Sequence, residues 1–170
     1  MRKGKRTAFY GLFLALALVA GYVEQLLPVS LGIPGVKLGL ANVVTMVLLY
    51  TVGVRAAVGI TAARILLAGM LFGTGFSIVY SAAGAVCSML VMLLLKRTGR
   101  FSSVSVSMAG GVFHNVGQIL VAALVLETGA LVYYLPILIL SGLAAGIVIG
   151  IISGILTRRL GPVIRQTLES

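Results

Sequence analysis

Three polar side chains, His114, Asn115 and Gln118, fall close together in an otherwise apolar stretch of the chain. Residues three and four positions apart lie on the same face of an α-helix, so all three would point in one direction. An imidazole and two amides can together donate and accept several hydrogen bonds. A single histidine is more often a packing residue, but the clustering of three polar groups favours a lining of a binding site.

Arg64 lies nine residues beyond Arg55 inside another apolar run, which would place it roughly 13 Å along a helix. A charged side chain at that depth in a membrane faces a partner or a wet cavity. The chain contains no aspartate, and its glutamates are Glu24, Glu127 and Glu169. Glu24 is therefore the leading candidate for a carboxylate partner. The residues leave two alternatives open: an ion pair that holds helices together, or a guanidinium that binds an anionic ligand.

The segment from Pro34 to Asn42 links the first two apolar runs. Pro34 disfavours helix at the preceding residue, and Gly35 permits backbone angles that other residues avoid. We predict a shaped loop that leads into a helix, with Lys37 near its first turn and the loop acting as a lid. The predicted substrate-binding residues are those that carry polar groups toward one pocket: Glu24, Lys37, Asn42, Arg64, His114, Asn115 and Gln118.

The elements that position these residues are membrane helices. Of 170 residues, 60% are hydrophobic and 9% are charged, whereas soluble domains carry about 25% charged residues. We predict an all-α integral membrane protein, a six-transmembrane-helix bundle that forms a single membrane domain over residues 1–170. The predicted helices span about residues 7–27, 38–51, 56–72, 76–95, 102–126 and 130–156.

The second of these helices is short, so to cross at all it must either be enclosed by its neighbours or begin inside the preceding loop. The sixth is over-long, which predicts that it starts with a loop or a tilted segment around Tyr133, Tyr134 and Pro136.

The basic residues predict the orientation of the bundle. With both termini cytoplasmic, the inner segments carry eleven lysines and arginines and the outer segments carry only Lys37. This follows the positive-inside rule. Because the basic residues lie at the ends of apolar runs, the net charge of +10 indicates contacts with anionic lipid rather than nucleic acid.

Glycines recur every fourth residue along the sixth predicted helix, at Gly142, Gly146, Gly150 and Gly154. Such a groove lets another helix approach closely. The neighbour is either a helix of this chain or a partner membrane protein. Gly11 and Ala15 form a shorter pair of the same kind on the first helix, and we include all six residues as candidate partner-docking positions.

Several chemistries are not indicated by the sequence. The phosphate-binding pattern Gly-x-x-x-x-Gly-Lys-Ser/Thr does not occur, so we expect ATP to be used only by partner subunits. The lack of aspartate argues against a magnesium diphosphate site, and no Cys/His spacing suggests a metal. We therefore predict a protein that is not an enzyme and has no intrinsic cofactor or metal.

Taken in order, several motifs make the chain resemble the bacterial "Gx transporter" family, also labelled heptaprenyl diphosphate synthase component I. These motifs are Pro34-Gly-Val-Lys-Leu-Gly-Leu-Ala-Asn42, Arg64-Ile-Leu-Leu, Leu71-Phe-Gly73, His114-Asn-Val-Gly-Gln118, Tyr133-Tyr-Leu-Pro136 and Ser141-Gly142.

The resemblance implies a relation to the substrate-binding S components of energy-coupling factor transporters. It implies a six-helix bundle in the bacterial cytoplasmic membrane, with a ligand site near the outer face under the loop after the first helix. It also implies a transmembrane coupling subunit and two cytoplasmic ATPases as partners, with Gly11 and Ala15 on the docking face.

Two functions follow as hypotheses. The first is a substrate-binding subunit of an importer, for example for a vitamin or cofactor, that captures an anionic or heterocyclic ligand. The second is a membrane partner protein in isoprenoid, quinone or flavin-linked redox metabolism. A weaker third alternative is a stand-alone transporter driven by protons at His114 or Glu24.

Overall fold

The computed structural model describes residues 3–26 and 39–169, and in these ranges the chain is almost entirely helical. The α-helices are α1 Lys3–Leu26, α2 Leu40–Thr51, α3 Val54–Phe72, α4 Gly75–Thr98, α5 Ser103–Val125 and α6 Leu135–Glu169, with a 3-10 helix at Gly129–Tyr134 before α6. Five of the helices are long and apolar enough to cross a membrane, and α2 is a shorter apolar helix. The predicted all-α, six-helix membrane architecture is confirmed in this respect.

The six helices form a closed ring in which each packs on two neighbours, in the order α1, α2, α6, α5, α4, α3 and back to α1. Helix α2 also touches α3, and its residues Met46, Leu48 and Leu49 are almost fully buried. The prediction that this short helix is enclosed by its neighbours is confirmed. The outside of the bundle is apolar, with Met70, Leu94 and Leu124 each more than 60% exposed, as expected for a surface that faces lipid.

Local sequence signals begin and end these helices. Thr74 and Ser77 form a capping box before α4, in which the backbone N–H of Thr74 donates to Ser77 Oγ at 2.9 Å and that of Ser77 donates to Thr74 Oγ1 at 3.3 Å. Gly99 ends α4 with a φ of +66°, a left-handed conformation that glycine adopts without strain. Ser102 caps α5 by accepting from the backbone N–H of Ser105.

The helix ends differ from the predicted ones at the basic segments. Helix α1 begins at Lys3 and α6 continues to Glu169, well beyond residue 156. Hydropathy marks where a span leaves the apolar layer, but lysine and arginine are good helix formers and let the helix continue. At the start of the sixth predicted helix, Tyr133 and Tyr134 lie in a separate 3-10 helix, as the predicted break suggests, but Pro136 already lies in α6.

The glycine groove of α6 is filled by α5. A Cβ built on Gly142 would lie 2.7 Å from the carbonyl oxygen of Gly111, and one built on Gly146 would lie 2.5 Å from Met108 Cα. Gly150 lies in the same way against Val104, and Gly154 lies near Ser103. Partner docking at Gly142, Gly146, Gly150 and Gly154 was therefore the wrong alternative, because α5 already occupies this face.

Candidate functional site

The structure brings six of the seven predicted substrate-binding residues to one cavity of about 90 Å³ in the centre of the ring. They come from four helices, α1, α2, α3 and α5. The cavity is lined by Glu24, Asn42, Arg64, His114, Asn115 and Gln118, together with Gly39, Ala41, Ser81, Gly111, Gly142, Ala145 and Ile149. The seventh, Lys37, and the predicted lid around it lie outside the described residues.

Glu24 joins the end of α1 to the start of α2. Its Oε1 accepts a hydrogen bond from the backbone N–H of Gly39, and Gly39 has a φ of +74°, which favours glycine. A carboxylate beside the first N–H groups of a helix satisfies a donor that has no partner within the helix. Glu24 therefore holds one edge of the cavity in place and also contributes a negative charge.

Arg64 lies near the middle of α3 and lines the cavity. Its Nε is buried and has no hydrogen-bond partner among the described residues. Glu24 acts on the guanidinium electrostatically, whereas Glu127 is exposed in the turn that follows α5. Glu24 is thus the acid near Arg64, as the sequence suggests, but it leaves at least one N–H donor of the guanidinium unsatisfied.

Asn115 links α5 to α6 at the cavity wall. Its Nδ2 donates to the carbonyl oxygen of Leu138 at 2.6 Å and to Ser141 Oγ at 3.4 Å. Ser141 Oγ donates in turn to the same carbonyl at 2.9 Å. Because the amide nitrogen of Asn115 is engaged, the oxygen of this amide is the atom that remains for a ligand.

His114 and Gln118 face α4 at a glycine. A Cβ built on Gly84 would lie 2.9 Å from His114 Nε2 and 2.8 Å from Gln118 Cγ. Gln118 is only 6% exposed. The absence of a side chain at Gly84 therefore makes room for two polar side chains at the floor of the cavity.

Comparison with known proteins places the chain in a family. Residues 13–156 match the family described as heptaprenyl diphosphate synthase component I. The chain belongs to this family. The matched range contains all the described cavity residues. No curated protein and no solved structure matches the chain.

A side pocket of about 320 Å³ lies next to the cavity, between α1, α3 and α4. Glu24, Arg64 and Ser81 line both spaces. Ser81 was not among the predicted site residues. The sequence pattern that could have indicated Ser81 is its position four residues after Ser77, which places both hydroxyl groups on one face of α4.

A smaller chamber of about 20 Å³ lies next to the cavity and shares Asn42, His114 and Ile149 with it. Hydroxyl groups line this chamber, and Thr45 Oγ1 and Thr61 Oγ1 are 3.0 Å apart. A space of this size holds about one water molecule, given polar partners. The polar interior therefore extends beyond the residues that sequence spacing indicates.

The polar groups at the cavity are of types that can bind a ligand. A guanidinium, amides, an imidazole and hydroxyl groups can bind an anionic group and the polar atoms of a small organic molecule. Among residues 3–26 and 39–169, no three His, Cys, Asp or Glu side chains come together as a metal site would require.

Proposed function

We propose that this protein is the substrate-binding subunit of an energy-coupling factor type importer and captures a small organic anion or polar heterocycle from the outer face of the membrane. The observation that carries the proposal is the buried Nε of Arg64, which lines a central polar cavity and has no hydrogen-bond partner in the part of the chain that the structure describes. An unsatisfied charged donor in an apolar bundle costs free energy, and an anionic ligand would supply the missing acceptor.

The other cavity residues would recognise the rest of the ligand. Asn115 offers an amide oxygen, and Asn42, Gln118 and His114 offer further polar atoms around the same space. Glu24 partly offsets the charge of Arg64, which would lower the free-energy cost of this buried charge when no ligand is bound. Lys37, which lies outside the described residues, would add a further positive charge.

In this proposal the chain is not an enzyme, and ATP is used only by two cytoplasmic ATPases joined through a coupling subunit. An open face of α1 supports such docking. A Cβ built on Gly11 would meet no atom within 4 Å, and Gly11 and Ala15 are both exposed. Leu12 and Leu16 beside them are 59% and 48% exposed, so this face could receive a partner helix.

The test begins with native mass spectrometry of gently purified protein to identify a co-purified small molecule. Its affinity is then measured for the wild type, Arg64→Ala, Asn115→Ala and the control Arg97→Ala, which removes an exposed arginine. A hydrogen bond to a charged group contributes about 1.5–3 kcal/mol, so Arg64→Ala should weaken binding roughly 10- to 150-fold. Unchanged affinity in both cavity variants would remove these residues from the site.

A second candidate function is a membrane partner in isoprenoid, quinone or flavin-linked redox metabolism. The family description, which names a component of a synthase, favours it. Co-purification separates the two. Recovery with ATPases and a coupling subunit supports import, and recovery with a prenyl or redox enzyme supports the second candidate.

A further inference from the structure

Helices α3 and α4 touch at one end and separate toward the other. They meet where a Cβ on Gly69 would overlap the Ile78 side chain. From there an open groove of about 430 Å³ runs between them, lined almost entirely by apolar atoms. On α4 it extends from Ile78 to Leu93, which corresponds to roughly 22 Å of helix. A long, narrow, apolar groove fits a chain better than it fits a compact molecule.

The groove is separated from the polar interior by a single layer of side chains. Ile65, the neighbour of Arg64, lines both the groove and the side pocket. Thr61, Ala85 and Met89 line both the groove and the small chamber next to the central cavity.

This layer is thin and adaptable. Ala85 is small, and methionine is the most flexible of the large apolar side chains. Thr61 directs its hydroxyl toward Thr45 inside the bundle. A chain could therefore pass from the polar interior to the groove by a change of the Met89 side chain.

We propose that the ligand is an amphiphile whose anionic or polar head binds Arg64 and whose single apolar chain lies in the α3–α4 groove. The inference rests on the proposed binding site and names the class of its ligand. The central cavity of about 90 Å³ accommodates a compact head group, and the groove accommodates the chain. Because lipid tails are as apolar as the groove, the groove acts by shape and the head group supplies most of the affinity.

The probe is dodecyl phosphate with a diazirine at the end of its chain, in nanodiscs of phosphatidylcholine. Photolabelled positions are read by mass spectrometry. We expect labelling concentrated at groove residues such as Leu66, Val86 and Leu90, and competition by dodecyl phosphate at least tenfold more effective than by inorganic phosphate. Ala82→Phe and Ala62→Phe, on the two walls of the groove, should each lower this labelling at least tenfold.

Two comparisons make the result decisive. Ala144→Phe adds the same side chain at an exposed position of α6 outside the groove and should leave the labelling unchanged. Arg64→Gln should lower groove labelling at least tenfold, because the head group holds the chain in place. Labelling that spreads over all lipid-facing helices, or that persists in Arg64→Gln, would show that bulk lipid fills the groove and would overturn the inference.

The same experiment separates this inference from the proposed function. If Arg64→Gln weakens binding of dodecyl phosphate but the groove residues are never labelled, the amphiphile is excluded and capture of an anion stands. If both probes bind but Arg64→Gln leaves the affinity for each unchanged, both proposals fail. If neither probe binds the wild type, the amphiphile inference fails, and the proposed function is then decided by the ligand that co-purifies with the protein.

Discussion

Replacing Gly146 by alanine tests the closest helix contact behind the cavity. The added Cβ would lie 2.5 Å from Met108 Cα, 2.8 Å from the Ser107 oxygen and 2.9 Å from the Met108 nitrogen. All three are backbone atoms, so no side chain can rotate away. To restore an ordinary contact of about 3.4 Å, α5 and α6 have to separate locally by about 0.9 Å.

The expected cost follows from packing. Overpacking in a well-packed interior costs about 1–3 kcal/mol. Alanine also gains about 1 kcal/mol of helix propensity over glycine, which would hide part of this cost. Gly59→Ala is the matched control, because its Cβ would meet no atom within 4 Å and it receives the same propensity gain. We therefore expect Gly146→Ala to be less stable than Gly59→Ala by about 1–3 kcal/mol.

The measurement is the free energy of unfolding of both variants in mixed micelles titrated with sodium dodecyl sulfate. If Gly146→Ala proves as stable as Gly59→Ala, the two helices are not in backbone contact. The wall of the cavity formed by Ala145 and Ile149 would then lack the support described above.

Three further predictions concern the site and its orientation. Asn115→Leu removes one of two donors to the Leu138 oxygen, and Ser141 Oγ still donates to it, so the protein should lose about 0.5–1.5 kcal/mol in the same titration; an unchanged free energy would show that the Asn115 bond does not stabilise the α5–α6 contact. Glu24→Gln keeps an acceptor for the Gly39 N–H but, like Glu24→Leu, removes the charge that offsets Arg64, so Glu24→Leu should be less stable than Glu24→Gln by about 1–3 kcal/mol; equal stabilities of the two variants would show that the bond has no role. Lys37→Cys, in a variant without the native cysteine, should react with a membrane-impermeant maleimide added outside intact cells, and protection there together with reaction from the cytoplasmic side would reverse the predicted topology.

Sequence periodicity was sufficient to predict the features that depend on the geometry of a single helix. The spacing of His114, Asn115 and Gln118 predicts one face of one helix, and the structure places all three at the same cavity. The position of Arg64 within an apolar run likewise predicts its depth. Both inferences need only the geometry of a single helix.

Other features depend on which helices become neighbours, and periodicity does not encode that. The spacing of the α6 glycines predicts close approach but does not identify α5 as the helix that fills the groove. The bond between Glu24 and the Gly39 N–H joins residues 15 positions apart at the ends of two helices, so no spacing rule reveals it. The ends of α1 and α6 were misplaced because hydropathy reports the apolar layer rather than the helix.

Helix α6 is continuous from Leu135 to Glu169, roughly 52 Å at 1.5 Å per residue, whereas the hydrocarbon layer is about 30 Å thick. In the C-terminal part of α6, Ile164 is buried and Gly161 approaches Thr51 at the end of α2. The same rod carries Ala145 and Ile149 at the cavity. A protein that binds the part of α6 beyond the hydrocarbon layer could therefore move the cavity wall, because both belong to one continuous helix.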